Sequence, residues 1–504
     1  MLRLTAAIFA CVFTVPAAAA TFVVSNTSDS GVGSLRQAIM EANATSDPDT
    51  IEFAIPGDGV HTIAVLSTLP PITKPLIMDG YTQPGSHANT RLPDEGGLDG
   101  TLTIEISGAS ASSGTPAGLI VNNTEATLRG LVVNGFKQQV NVGQPTPNSS
   151  NVMIEGCYLG TDPSGTLAGG MDQEYGIAGR TNHGRVIVGG TTAAARNLIS
   201  GFSVASAMEF EATATGPIIQ GNLIGTDASG MHAIATHSNG IGISSGNAMG
   251  LGTRIGGDTA AARNVISGNG NGISIYCGSV TTDHACTDGL QIAGNYIGTT
   301  VAGTAPLPNV TYGISTNAPY ATMSRIRIGG ETAESENRIA WNGQGGLFSN
   351  DGNATWTIEI ARNLIYGNGD FDMDLPYHGR NLNDPGDADE TYANRSQNYP
   401  AILAVDQVGN QLMITYVVDT AVANASYPLT VRFYRALGLG ADLWLGEDTY
   451  AVANAQQQKQ VVLTLPVGIS VYGVIATAAD AAGNTSEYSD SFLTDLIFAD
   501  GFDA

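Results

Sequence analysis

Positive charge, cysteine, histidine and long apolar runs are all scarce in this chain. Its 504 residues include 20 Lys and Arg against 45 Asp and Glu, a formal net charge of −25. Nucleic-acid binding relies on cationic side chains that displace phosphate counterions, so that class of partner is disfavoured. A polyanionic glycan would need a divalent cation to bridge two negative surfaces. The seven histidines and four cysteines show no zinc-ligand spacing. There is no Gly-x-x-x-x-Gly-Lys loop, and no Gly-x-Ser-x-Gly elbow in a strand-to-helix context. Beyond residue 20, no apolar run is long enough to span a bilayer.

The first twenty residues read as an export signal: Arg3, then apolar Leu4 to Val15, then Ala18-Ala19-Ala20 as a small-residue cleavage site before Thr21. A secreted, periplasmic or cell-surface location is therefore expected. Cys11 leaves with that segment. Cys277 and Cys286 flank a short polar loop, and an oxidising compartment permits their pairing as a disulfide. Cys157 is then a free, buried thiol.

Glycine (64 residues) and repetition are what the chain has in excess. Gly156-Cys-Tyr-Leu-Gly-Thr161, Gly221-Asn-Leu-Ile-Gly-Thr226 and Gly294-Asn-Tyr-Ile-Gly-Thr299 echo one another. Arg196-Asn-Leu-Ile-Ser-Gly201, Arg263-Asn-Val-Ile-Ser-Gly268 and Glu336-Asn-Arg-Ile-Ala340 interleave with them. Such self-similarity means one supersecondary unit stacked on itself. With Asn239-Gly-Ile-Gly-Ile-Ser244 taken as a further copy, each super-repeat divides into three units of about 22 residues, the length of one turn of a parallel β-helix. A β-propeller has a blade period that fits poorly. The recurrent Asn residues 197, 222, 264, 295, 337 and 363 should stack as a side-chain ladder in equivalent turns, with Cys157 in the first place.

An all-β fold follows: a right-handed parallel β-helix with an amino-terminal cap, then a small immunoglobulin-like β-sandwich. The expected divisions are signal 1–20, cap and first coils 21–81, β-helix 82–369, acidic junction 370–400, sandwich 401–494 and tail 495–504. Ser34-Leu-Arg-Gln37 has the form of a capping box opening a helix through Asn43. Strands are expected at Leu412 to Val418, Leu429 to Arg435, Val461 to Leu465 and Ser470 to Thr477.

Thr21-Phe-Val-Val, Gly33-Ser-Leu-Arg-Gln-Ala-Ile39 and Asp79-Gly-Tyr-Thr-Gln-Pro-Gly85 resemble the opening of secreted bacterial β-helix repeat proteins of the CSLREA-domain group. Here Gly33 stands where the group's name has Cys. Asn383-Asp-Pro-Gly-Asp-Ala-Asp389, Gln397-Asn-Tyr-Pro400 and Gly483-Asn-Thr-Ser-Glu-Tyr-Ser489 are similar to the same group. The resemblance implies a fold and an exported location, and carries over no catalytic residue. The tail, Asp495-Leu-Ile-Phe-Ala-Asp-Gly-Phe502, resembles a short terminal motif of exported proteobacterial proteins.

Two clusters carry candidate chemistry. Asp370, Asp372 and Asp374, with Asp384, Asp387 and Asp389, offer oxygen ligands for Ca²⁺, or else form a solvated acidic linker. Laying the rungs side by side puts Glu209 and Glu211 outward, Arg180 beside Glu211, and Tyr276 two rungs away. That group could serve a glycoside hydrolase or polysaccharide lyase, or be only a surface ion pair. The expectations are therefore binding of an extended extracellular ligand, a polysaccharide; an enzyme acting on one; or a non-catalytic spacer or adhesin.

Overall fold

The structure is a computed structural model that describes residues 19–110, 117–143, 151–179, 185–211, 216–234, 236–245, 252–277, 289–317, 326–350, 356–375, 379–388 and 393–494. Most of the expected export signal, Arg180, Cys286, Asp389 and the tail 495–504 lie outside the described residues.

From Leu76–Asp79 onward consecutive strands go in turn to three sheets, of eleven, ten and nine strands in all, and each pairs in parallel with the strand one coil away. This is a parallel β-helix, and the propeller alternative falls. In one coil, Val186–Gly189 lies in the first sheet, Leu198–Ile199 in the second and Met208–Glu211 in the third. Alternation sends every other side chain inward. Val188, Ile199, Met208 and Phe210 are at most 1% exposed and belong to one continuous core.

Both repeated phrases occupy the same turn, between the first and second sheets. There Asn197 Nδ2 donates to Asn222 Oδ1 (2.9 Å), and the relay continues through Asn264, Asn295 and Asn337 to Asn363. Each Nδ2 also donates to a main-chain carbonyl of the first sheet, as Asn264 does to Ile219 O (2.8 Å). Cys157 heads the column: its N–H donates to Asn197 Oδ1, and its Sγ lies 3.6 Å from Leu128 O. The ladder read from the repeats is present.

The coil length is different from the expected 22 residues. Ladder positions are separated by 40, 25, 42, 31, 42 and 26 residues. A super-repeat is therefore two coils, one long and one short. Asn239 to Ser244 is the third-sheet strand of a long coil and does not form a turn of its own. The Gly-Thr ending explains the difference. After Thr161, Thr226 and Thr299 the chain makes an antiparallel excursion, bridging to Ala168, Ala233 and Pro306 before it reaches the third sheet. The Ser-Gly ending omits it. These excursions, with the segment around Leu98 and Leu102, bury the outer face of the second sheet, where Tyr158, Leu198, Leu223 and Val265 form a separate apolar cluster with Ala228 and Val301.

The amino end is closed by a helix, Leu35–Asn43, whose Leu35, Ala38, Ile39 and Ala42 enter the core. Ser34 Oγ accepts from Gln37 N (3.2 Å), but the Gln37 amide turns to Glu41, so only half of the capping box forms. Among the described residues, no helix is long and apolar enough to cross a membrane.

At the other end Phe371–Asp374 is still a rung of the third sheet, so the coil runs past the expected boundary at 369. Two antiparallel sheets follow. One contains Ala401–Val408, Gln411–Val417 and Lys459–Thr464; the other contains Gly440–Tyr450, Leu429–Leu437, Gly473–Ala479 and Phe492–Leu493. Leu412, Ile414, Val431, Phe433 and Val474 form a core shared by both. This unit packs onto the last coil. Tyr434, Ile475 and Tyr488 join the solenoid core, Ile360 N donates to Thr485 Oγ1 (3.0 Å), and Asn394 Nδ2 donates to Thr485 O (2.8 Å). An open solenoid end would expose unpaired apolar and backbone groups, and both ends are covered.

Candidate functional site: the outer face of the third sheet

With the second sheet covered, outward side chains stay exposed on the first sheet, as at Arg254, and on the third, as at Tyr276, and the third carries the candidate residues. Its register matches the sequence reading. Glu209 pairs with Gly242, and Glu211 with Ser244, which pairs in turn with Tyr276. Tyr276 is 45% exposed. It stands two rungs, about 10 Å, from Glu211, too far for direct contact. A Cβ on Gly242 would sit 2.0 Å from the Glu209 carboxylate, so glycine there lets that side chain lie along the sheet.

Glu209 begins a hydrogen-bonded track along the coils. Ser206 Oγ donates to Glu209 Oε2 (3.0 Å), Asn239 Nδ2 to Ser206 Oγ (3.3 Å), and Asn271 Nδ2 to Asn239 Oδ1 (3.0 Å). Thr311 Oγ1 donates to Asn271 Oδ1. Beside Thr311 the track becomes aromatic. The Tyr312 ring stacks on Phe348 with centroids 4.5 Å apart and 11° between planes, and Phe371 lies 6.1 and 5.9 Å from the two. Gly345 provides the gap, since a Cβ there would come within 2.3 Å of the Phe371 ring. Six consecutive strands carry this track, a run of about 24 Å at the usual strand spacing. They contain no Lys or Arg.

The sequence reading found Glu209, Glu211 and Tyr276 but missed Ser206, Asn239, Asn271, Thr311 and the three rings. A signal existed for Phe348, which occupies the outward place that Gly242, Ser274 and Ser315 fill on neighbouring rungs.

The five acidic positions that lie within the described residues do not gather in one place. Asp372 Oδ1 accepts from Asn368 Nδ2 (2.7 Å) and thereby ends a second Asn ladder through Asn269, Asn309, Asn342 and Asn368. Burial raises its carboxyl above the usual range. Asp387 accepts from Gln397 Nε2, Asn398 N and Thr420 Oγ1 (2.6–2.9 Å), and Asp384 accepts from Ala388 N. Among the described residues, no three Asp, Glu, His or Cys side chains converge as a metal site. Calcium coordination by this run is thus a proposal that requires these carboxylates to exchange N–H and O–H donors for an ion. A thermal midpoint higher in Ca²⁺ than in EDTA supports it, and equal midpoints remove it.

Cys277 ends the strand Asn269–Cys277 and is fully buried, while its expected disulfide partner, Cys286, is outside the described residues. Cys157 is free and buried, and desolvation pushes its thiol up to about 12. A thiol held in its neutral form is a poor nucleophile. Iodoacetamide should therefore leave native Cys157 unmodified and label it once the protein is unfolded without reductant. If the Cys277–Cys286 disulfide forms, two further thiols appear only after reduction.

Fold and face together define a parallel β-helix protein with a carboxyl-terminal antiparallel β unit. No protein-family model matches the chain, and a search of curated proteins returns no significant match.

Proposed function

We propose that this is an exported β-helix protein that binds an extended polysaccharide along the outer face of its third sheet. The observation that carries the reading is the continuous polar-to-aromatic track from Glu209 to Phe371, with hydrogen-bonding amides and hydroxyls at one end and stacked rings at the other. Sugars offer the same two surfaces, hydroxyl edges and apolar ring faces. The export signal and the resemblance to CSLREA-domain proteins support an extracellular setting, with an immunoglobulin-like sandwich as the closing unit. A glycan array followed by calorimetry tests the proposal. Tyr276→Ala and Asn271→Ala should each weaken binding by about tenfold, roughly 1.4 kcal/mol. Wild-type affinity in both variants would move the ligand off this face.

One observation favours an enzyme as the second reading. Glu209 and Glu211 are alternate residues of one strand and both emerge on the face, which sets their α-carbons about 6.6 Å apart. Two carboxylates on neighbouring outward side chains can act as a hydrolytic pair, in a glycoside hydrolase or, with Arg180 and Tyr276, in a polysaccharide lyase. Release of reducing ends or of unsaturated products that is lost in Glu209→Gln/Glu211→Gln would establish it. Neither binding nor cleavage across the array would leave the spacer or adhesin reading.

A further inference from the structure

The track does not run out into solvent at its carboxyl end. It meets the antiparallel β unit, and a cavity of about 100 Å³ opens where they join, lined by Phe371, Asp374, Arg380, Leu439, Glu487 and Tyr488 among others. A buried water needs roughly 10–15 Å³ of such space, so several fit, room for one small polar ring. Phe371 belongs both to the three-ring cluster and to the cavity wall, so track and cavity meet at that residue.

The lining has the composition of a ligand pocket, an apolar wall with a few fixed polar groups. Glu487 is 5% exposed, with its carboxyl oxygens held by Leu375 N (2.7 Å) and Asn381 N (2.9 Å). Asp374 accepts from Gly379 N (3.1 Å). The Arg380 guanidinium donates to Tyr488 O (3.3 Å) and lies 4.4 Å over the Tyr399 ring. Carboxyl groups on the track and in the cavity repel uronate or sulfate and suit uncharged hydroxyls.

We propose that the protein recognises the end of a neutral glycan chain: the terminal sugar occupies the junction cavity while the chain behind it lies along the third sheet. This rests on the polysaccharide reading of that face. Burial, reinforced by the Asp374 charge, pushes the Glu487 carboxyl up to about 7. Near neutrality it is then partly protonated and can donate as well as accept a hydrogen bond, as a sugar hydroxyl requires.

The test uses the full chain and linear cello-, xylo-, manno- and chito-oligosaccharides of two to six units, measured by calorimetry. Leu439 lies on the cavity rim and is 74% exposed, so Leu439→Trp should block the mouth without disturbing the fold, checked by an unchanged melting temperature. The expected result is a tenfold or greater loss of affinity in Leu439→Trp, alongside a loss in Tyr276→Ala. Within that outcome, borohydride-reduced chains assign the end: lost binding identifies the reducing end, retained binding the non-reducing end. Wild-type affinity in Leu439→Trp with weakened binding in Tyr276→Ala would overturn end recognition and leave the face intact. If no neutral oligosaccharide binds the unmodified protein but another glycan does, the neutral-chain inference falls alone; if no glycan binds at all, the polysaccharide reading falls with it.

Discussion

Asn264→Ala is expected to lower the unfolding free energy by about 3–5 kcal/mol, because one truncation strips partners from several buried polar groups, each costing about 1–3 kcal/mol. Asn264 is fully buried. Its Oδ1 accepts from both the N–H and Nδ2 of Asn222 (each 3.0 Å), while its Nδ2 donates to Ile219 O and Asn295 Oδ1 (2.8 and 2.9 Å). Asn363→Ala at the ladder's end should cost less, since Asn363 has no following asparagine and donates only to Ile328 O and Ala361 O. Cys157→Asn should be tolerated, because the cysteine already occupies the ladder site and points at the equivalent carbonyl. Urea titration of the three variants gives the ranking. A loss below 1 kcal/mol for Asn264→Ala would mean that these residues supply turn geometry alone.

Raising the pH from 5 to 8 should destabilise the junction between solenoid and antiparallel unit through Glu487. Its carboxyl titrates near 7 when folded, against 4.5 in the open chain; desolvation is the main cause, the Asp374 charge adds to it, and Arg380 and two backbone N–H groups oppose it. Between those values the folded protein holds a proton that the unfolded chain has released. Stability therefore falls as pH climbs through that window and levels off above it. A separation of that size corresponds to about 3 kcal/mol. Burial raises the Asp372 carboxyl in the same direction. Glu487→Gln keeps the shape and removes the titration, so it should flatten the profile and be the more stable protein at pH 8. Parallel pH profiles of melting temperature for the two proteins would refute this account.

The parts of the architecture legible in the sequence are those fixed by local periodicity. Met208-Glu-Phe-Glu211 alternates, so its inward and outward sides could be read, and the recurring asparagines announced a ladder. Coil length was misread for a physical reason. Asn222 and Asn264 occupy equivalent turns, but the excursion after Thr226 adds residues without adding a rung, so counting residues miscounts turns. Two-residue strands such as Leu223–Ile224 show no period at all. Gly440–Tyr450 escaped notice because glycines and acids interrupt its apolar pattern where it bulges against Leu429–Leu437. The Phe371–Glu487 cavity joins residues more than a hundred positions apart, and nothing local marks it.

The pairing of long and short coils also makes the solenoid a modular ruler. A duplicated super-repeat carries two ladder asparagines, one excursion to extend the cover of the second sheet, and two bare strands of the third. It could be inserted with every hydrogen-bond column kept in register, lengthening the molecule by about 9.6 Å, two strand spacings. Reach could thus be tuned in fixed steps while both end closures stay unchanged.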